Sequence, residues 1–436
     1  MTPSTSSSPA PERSQPLGLR LGVLSSLYAS QGLPFGFFSH AVPVLLSREH
    51  PPSLVGLSSL LAIPWALKFL WAPWFDRVHS ERFGRRRVLL VPLQLATVLA
   101  LVVLGLLEPS TPHLTPLLVG FFVVSLTCAS QDIATDALAL DVLSPRERGL
   151  GNGVQVGAYR LGMIAGGGGL LALVDDLGYR EAFFAMAAMV LLASVSLLVM
   201  REPREPREPG AQEAASLGGL ALLRSFATRA DARSIVGLLV AYKLGDALAA
   251  GMTTRFLVKQ GLDTADIALS RGLVGGLASA AGALGVGLLL RSWPRKRALL
   301  LSASLQAAAV LAYLAISVAR PVGSGLPMLP LELYYAASIV EHLFGGAATA
   351  ALFTRMMDAC RPEARATDFT VQASILVGVT GLGLAASGFV VGALGHTAHF
   401  ALSSALALFA LPIVAKLATE PANAQPSSPA PTARDA

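Results

Sequence analysis

The sequence predicts an all-α polytopic membrane protein, with twelve transmembrane helices in two pseudo-symmetric six-helix halves. Composition is the first ground: 53% of the 436 residues are apolar and 14% are charged, with a mean hydropathy of +0.60. Soluble domains carry roughly 25% charged residues. The second is that apolar runs long enough to cross a bilayer recur along the chain with polar punctuation between them. They lack the period-2 alternation of a barrel, so each must satisfy its backbone internally as a helix. The third is the sorting of basic residues described below.

In order, the spans are 18–46, 54–74, 88–107, 114–141, 150–173 and 181–200, then 234–257, 265–290, 298–319, 329–357, 369–394 and 398–417. Residues 1–16 are Ser/Pro-rich with no apolar core, and they read as a disordered tail rather than a cleaved signal. Residues 418–436 have the same character. Residues 201–232 form a cytoplasmic linker that opens with three Arg-Glu-Pro repeats. It separates an amino-terminal half, 17–200, from a carboxy-terminal half, 233–417.

Of the 33 Lys and Arg residues, 24 fall in segments on the amino-terminal side of the membrane. Only Arg48, Arg180, Lys259 and Arg320 lie on the other side, and five sit within spans. By the positive-inside rule both termini are cytoplasmic. The net charge of +6 is therefore a record of topology. The bilayer is the expected partner, and nucleic acid is not.

The halves repeat. Asp141-Val-Leu-Ser-Pro145-Arg-Glu-Arg148 matches Asp358-Ala-Cys-Arg-Pro362-Glu-Ala-Arg365, and Val154-Gln155 matches Val371-Gln372, all at an offset of 217. Both blocks close the fourth span of their half. A 6 + 6 chain with repeated cytoplasmic hinges fits the major facilitator fold, in which two parallel halves rock about a midplane site. The loop after the second span adds Ala72-Pro-Trp-Phe-Asp76-Arg77 and Gly84-Arg85-Arg86-Arg87. It resembles the facilitator loop motif, whose acid and arginines latch the two halves. That resemblance makes Asp76, Arg77, Arg85 and Arg86, with Asp141, Arg148, Asp358 and Arg365, candidates for a cytoplasmic gate. Plain positive-inside anchoring is the alternative, against which the acid inside the basic cluster argues.

Ionisable groups at bilayer depth are functional candidates by default. Asp132 and Asp136 stand one turn apart on one face of the fourth span, and Arg160 lies in the fifth. Together they form a two-acid, one-arginine cluster, either for coupling or as a structural pair. Lys243 and Asp246 stand one turn apart in the seventh span. A cation beside an acid sets the proton affinity that coupling requires. The tenth span carries Glu341 and His342, followed by Gly345-Gly346, and of the two Glu341 is favoured to face a cavity. The proton-coupling candidates are thus Asp132, Asp136, Asp246 and Glu341.

Tyr28, Gln31 and Pro34 in the first span mark either a loosened, cavity-lining helix or a packing kink. With Arg160, Lys243, His342 and Gln372, Tyr28 and Gln31 make up the substrate-binding candidates. Lys68, Arg255 and Arg271 lie near enough to span ends to snorkel to water. Trp65, Trp71 and Trp74 read as an interfacial belt, and the recurring glycines from Gly149 to Gly166 as a helix-packing stripe. No catalytic residue or cofactor is expected. The two cysteines, Cys128 and Cys360, form no disulfide framework, and the histidines show no metal-ligand spacing.

A narrower resemblance follows from SQDIATDALALDVLSPRERG with YRLGM, WALKFLWAP, YKLGDALAAGMTT, and EHLFGG with ATDF. These segments, in order from Tyr28 to Gln372, resemble the AmpG muropeptide permease and acetyl-CoA transporter family. QGLPFGFFSHAVPVLL and GLGNGVQVGAYRLGM look nearer the related RhtX/FptX-type siderophore permeases. The resemblance implies a proton-driven, monomeric inner-membrane permease importing a bulky polar solute such as an anhydromuropeptide. A ferric siderophore is the alternative cargo, and an acyl-CoA transporter or a membrane-embedded enzyme stands behind it.

Overall fold

The computed structural model describes residues 15–41, 61–78, 84–107, 114–170, 174, 176, 178–200, 202 and 218–418. The expected tails up to residue 14 and from 419, and the Arg-Glu-Pro segment apart from Glu202, lie outside the described residues.

Every described element is helical. The first unit comprises residues 1–225 together with 362–374. It contains α1 (Leu17–Gly36), α2 (Ile63–Leu67), α3 (Ala72–Arg77), α4 (Arg87–Leu106), α5 (Leu114–Val142), α6 (Arg148–Ile164), α7 (Tyr179–Val199) and most of α8 (Gly219–Ala227). The second unit, residues 226–361 and 375–436, contains α9 (Ala232–Lys259), α10 (Thr264–Ile267), α11 (Gly275–Leu289), α12 (Arg295–Ala319) and α13 (Leu331–Asp358). The last helix, α14 (Arg365–Leu417), begins in the first unit and continues in the second. Eight helices among the described residues are long and apolar enough to cross a membrane. At 1.5 Å per residue, α5 alone reaches about 43 Å, beyond the roughly 30 Å hydrocarbon core.

Two spans differ from their sequence reading. The second is not one regular helix: a tight turn at Lys68–Leu70 separates α2 from α3. Pro64 and Pro73 each stand in the first turn of the short helix that follows, where a missing N–H costs nothing. The last two spans are one helix broken at Gly395, whose φ of 80° only glycine adopts without strain. A third addition is α8, which lies inside the segment read as linker.

Small residues let the helices approach. A side chain at Gly32 or Gly36 would collide with the backbone of α6 at Tyr159 and Met163. One at Gly162 would strike the Ala29 carbonyl. In the second unit Gly282 lies against the Leu343 carbonyl and Gly346 against that of Ser279, joining α11 to α13. Such contacts replace the hydrophobic driving force that helices lack in lipid. Each unit also packs an aromatic cluster into its core. Phe37 and Phe183 are 5.0 Å apart in the first, as are Phe256 and Phe400 in the second.

Candidate functional site

At the arginine-rich end of the first unit, Asp76 at the close of α3 is buried. Its carboxylate accepts from the Ala366 N–H at 3.0 Å, the Thr367 N–H at 2.8 Å and the Thr367 hydroxyl at 2.8 Å. It thereby caps the first turn of α14, whose orphan N–H groups favour an anion. Burial lifts Asp76 above the ordinary carboxylate range, against the opposing pull of Arg86 and the Thr367 and Ala366 donors. Arg86 is wholly buried. It donates to Asp141 at 2.7 Å and to the Phe75 carbonyl at 2.9 Å, while Arg365 reaches the other oxygen of Asp141 at 2.7 Å. Arg85 stands 3.8 Å from Asp76.

Glu202, the first acid of the Arg-Glu-Pro segment, accepts from the backbone N–H of Arg86 at 2.9 Å and of Arg87 at 2.6 Å. Nothing in the local sequence pointed to that cap. Arg77 closes α3, and Arg148 opens α6 with its carbonyl accepting from Asn152. In the second unit Arg295 donates to Asp358 at 3.0 Å. Asp141 and Asp358, 217 positions apart, thus each bind an arginine at the start of the third span of their own repeat: Arg86, which immediately precedes α4, and Arg295, the first residue of α12.

Deeper in the first unit, α5 carries a run of buried polar groups. Asp132 forms an ion pair with Lys68. Asp136 accepts from the Tyr28 hydroxyl at 2.8 Å and from Gln155 Nε2 at 2.9 Å. Gln31 donates to the Thr135 hydroxyl at 2.8 Å. Three segments, α1, the Lys68–Leu70 turn and α6, therefore converge on one face of α5. Arg160, half-buried on α6, reaches Met163 Sδ at 3.8 Å.

The snorkelling expected of Lys68 does not occur: the residue is 3% exposed and its ammonium is spent on Asp132. The turn at Lys68–Leu70 aims its side chain inward. The cation bonded to Asp132 therefore comes from the second span, not the fifth as the sequence suggested. Trp65 and Trp71 also leave the expected belt. Trp65 packs on Phe35 and Tyr159, and Trp71 donates to Ser130 at 3.1 Å; only Trp74, 55% exposed, keeps a surface position.

The second unit holds two further charge clusters. Lys243 pairs with Asp246, whose other oxygen accepts from Gln306 at 2.7 Å. Arg271, expected to snorkel, instead donates to Glu341 at 2.7 Å, and the Tyr313 hydroxyl joins the same carboxylate at 2.8 Å. The π turn over Ala268–Val274 rotates Arg271 onto α13. His342 points differently, its Nδ1 2.8 Å from the Ser338 carbonyl. Arg255 remains exposed. Gln372 is buried near the start of α14, where its Nε2 donates to the Asp368 carbonyl at 3.1 Å. Lys68, Gln155, Glu202, Arg271, Arg295, Gln306, Tyr313 and Thr367 are among the groups that sequence reasoning did not place in these clusters.

Residues 24–331 match the Major Facilitator Superfamily. The chain belongs to that superfamily. As a facilitator it is a multi-pass membrane transporter, not an enzyme. It is 34% identical over 377 residues to the anhydromuropeptide permease of Escherichia coli K12, covering 85% of this chain and 74% of that one. Among solved facilitators, the proton:xylose symporter XylE superposes with a TM-score of 0.69 at 13% identity, covering 92% of this chain and 97% of that one. The human organic anion transporter MFSD10 gives 0.63 at 22% identity, covering 92% and all of that chain. These structural likenesses establish the facilitator fold alone. Among the described residues, no three His, Cys, Asp or Glu side chains are grouped to hold a metal.

Proposed function

We propose that this facilitator is a proton-coupled importer of an anhydromuropeptide, acting by alternating access in the inner membrane. In this reading twelve spans form two six-helix halves with both termini cytoplasmic. The cargo rests on the relationship to the E. coli permease. One observation supports the coupling above all: each unit pairs acids with cations within the expected spans, Asp132 with Lys68, Asp246 with Lys243 and Glu341 with Arg271. Such pairs are costly in lipid and repay their cost where a proton or a charged cargo displaces a partner. Asp246 and Glu341 exchange protons in the carboxy-terminal half, and Asp132 and Asp136 in the amino-terminal half. Arg160 and Lys243 receive anionic groups of the cargo, with Tyr28, Gln31, His342 and Gln372 as polar lining.

The gate in this reading is the cluster around Asp76. Residues 365–367 belong by sequence to the carboxy-terminal half, yet they bind Asp76 and Asp141. Releasing them opens the cytoplasmic face, with Arg77, Arg85 and Arg148 as its further basic residues and the Arg295–Asp358 pair as the repeat-related contact within the second unit.

Purified protein in liposomes, given labelled anhydromuropeptide or a ferric siderophore with and without an inward proton gradient, tests the whole reading. Gradient-dependent accumulation of the muropeptide alone is expected. Accumulation of the siderophore alone would replace the cargo, and gradient-independent uptake would remove the coupling.

A further inference from the structure

Gln306 on α12 is buried, with 6% of its surface exposed. Its Nε2 donates to Asp246 Oδ1 at 2.7 Å, while Lys243 holds the other carboxylate oxygen. Gln306 Oε1 is buried and has no hydrogen-bond partner among the described residues. A glutamine amide carries one acceptor and two donors, and a buried polar atom left unpaired is costly. The amide is thus satisfied at one end, the end that serves an ionised Asp246.

Gly345 on α13 faces the idle oxygen. A Cβ there would stand 3.3 Å from Gln306 Oε1 and 3.8 Å from its Nε2. Gly345 and Gly346 therefore differ in use: Gly346 packs against the Ser279 carbonyl, and Gly345 clears the Gln306 amide. The same arrangement recurs in the first unit. Gln155 Nε2 donates to Asp136 Oδ1 at 2.9 Å, and Gln155 Oε1 is buried without a partner among the described residues. Duplication does not account for the likeness, because the offset of 217 carries Gln155 to Gln372.

We infer that Gln306 is a positioning residue for Asp246, and that its side-chain amide makes a half-turn when the carboxylate takes a proton. The inference rests on the coupling proposed above and says how one of its acids holds the proton. Lys243 has donors alone, so Oδ2 cannot be protonated while the ammonium stays on it. A proton reaching Oδ1 meets the Nε2 hydrogens, donor against donor. Turning the amide breaks Nε2–H···Oδ1 and forms Oδ1–H···Oε1. One hydrogen bond replaces another, the idle oxygen is used, and α9 stays tied to α12. The turned amide points its hydrogens at Gly345, into room that a methyl group would take. Asp246 is 16% and Lys243 29% exposed, so the pair is open to proton exchange. Tyr242, one turn back on α9, is the other titratable neighbour, while α14 passes Gly245 with Ala407.

Infrared difference spectra across a pH titration test this on protein carrying 13C in its glutamine side-chain amides. A carboxylic C=O band that is missing in Asp246→Asn is expected. At the same pH a labelled amide band that is missing in Gln306→Met should shift with it. Gly345→Ala puts a methyl group before the amide and does not weaken the helix, alanine being the better helix former. It should require about tenfold more protons for both bands, the equivalent of one lost hydrogen bond, and the pH of half-maximal uptake should move equally. An Asp246 band that titrates without the Gln306 band overturns the amide turn, and so does a Gly345→Ala titration identical to wild type. The wild-type spectrum decides the point even where a variant fails to fold. Gradient-driven uptake with a static amide band sinks the turn alone. Paired bands without gradient-driven uptake sink the proposed coupling while the turn stands.

Discussion

Lys68→Met leaves Asp132 as an uncompensated charge whose side chain is 11% exposed. Removing one partner of a buried ion pair costs about 3–5 kcal/mol, since the remaining charge keeps its desolvation penalty and loses its repayment. The ammonium also sits over Trp65, a contact contributing about 0.5–2 kcal/mol. For a unit of this size each kcal/mol moves the thermal midpoint by roughly 2–4 °C. Lys68→Met is therefore expected to melt at least ~6 °C lower, read by intrinsic fluorescence in detergent. Asp132→Leu alone strands the ammonium and should fall comparably. The double variant Lys68→Met/Asp132→Leu removes both charges together and should recover most of either loss, because apolar replacement of a whole buried pair is close to neutral. Additive losses in the double variant would refute the shared pair, as would an unchanged midpoint in Lys68→Met.

Asp246→Asn keeps the volume of the side chain but removes the titrating acid beside Lys243; gradient-driven accumulation should vanish while exchange of preloaded solute persists. Normal uphill uptake by that variant would remove Asp246 from coupling. Arg160→Ala should raise the KM for an anionic cargo about tenfold, the order of one charge-assisted hydrogen bond, with unchanged affinity returning it to a packing role. Asp76→Asn loses an anion at three donors of α14 and should lower the midpoint by the equivalent of about 1–2 kcal/mol. Arg20, through paired hydrogen bonds at 2.8 Å, holds Glu147 down to about 2 from its ordinary 4.5. Its stabilisation is therefore complete above the ordinary carboxylate range and fades as pH falls from about 4.5 towards 2. The midpoint difference between wild type and Glu147→Gln should shrink over that window, and a difference that widens in acid would reverse the assignment.

The fold was legible because its cause is distributed. Hundreds of apolar side chains each report the same bilayer, so no single misreading alters the helical outcome. Site geometry hangs on single turns. Lys68 lies within two helical turns of a basic loop, where snorkelling is the ordinary reading, and only the break between α2 and α3 turns it inward. A π turn does the same for Arg271. Residues such as Gln306 and Tyr313 carried no signal, since a lone polar group in an apolar run names no partner. The pair at Lys243 and Asp246 was readable because i, i+3 spacing is a property of one helix and needs no tertiary knowledge.

The internal repeat divides the molecule into what was duplicated and what was not. The offset of 217 maps Asp141 onto Asp358, and each binds an arginine at the start of a preceding helix in its own unit. It also maps Gln155 onto Gln372. Applied to the membrane-depth charges the same offset fails: Asp132 falls on Thr349, Asp136 on Phe353, Arg160 on Val377, and Glu341 returns to Val124. Acid–cation pairs occur in both units, yet on side chains that the repeat does not equate. A hinge that must move two halves alike has reason to keep one chemistry at both ends. A solute that carries unlike chemical groups has no need of equivalent side chains in the two repeats. The two repeats then share the arginine–aspartate contact at the end of the fourth span while their charges deeper in the spans differ.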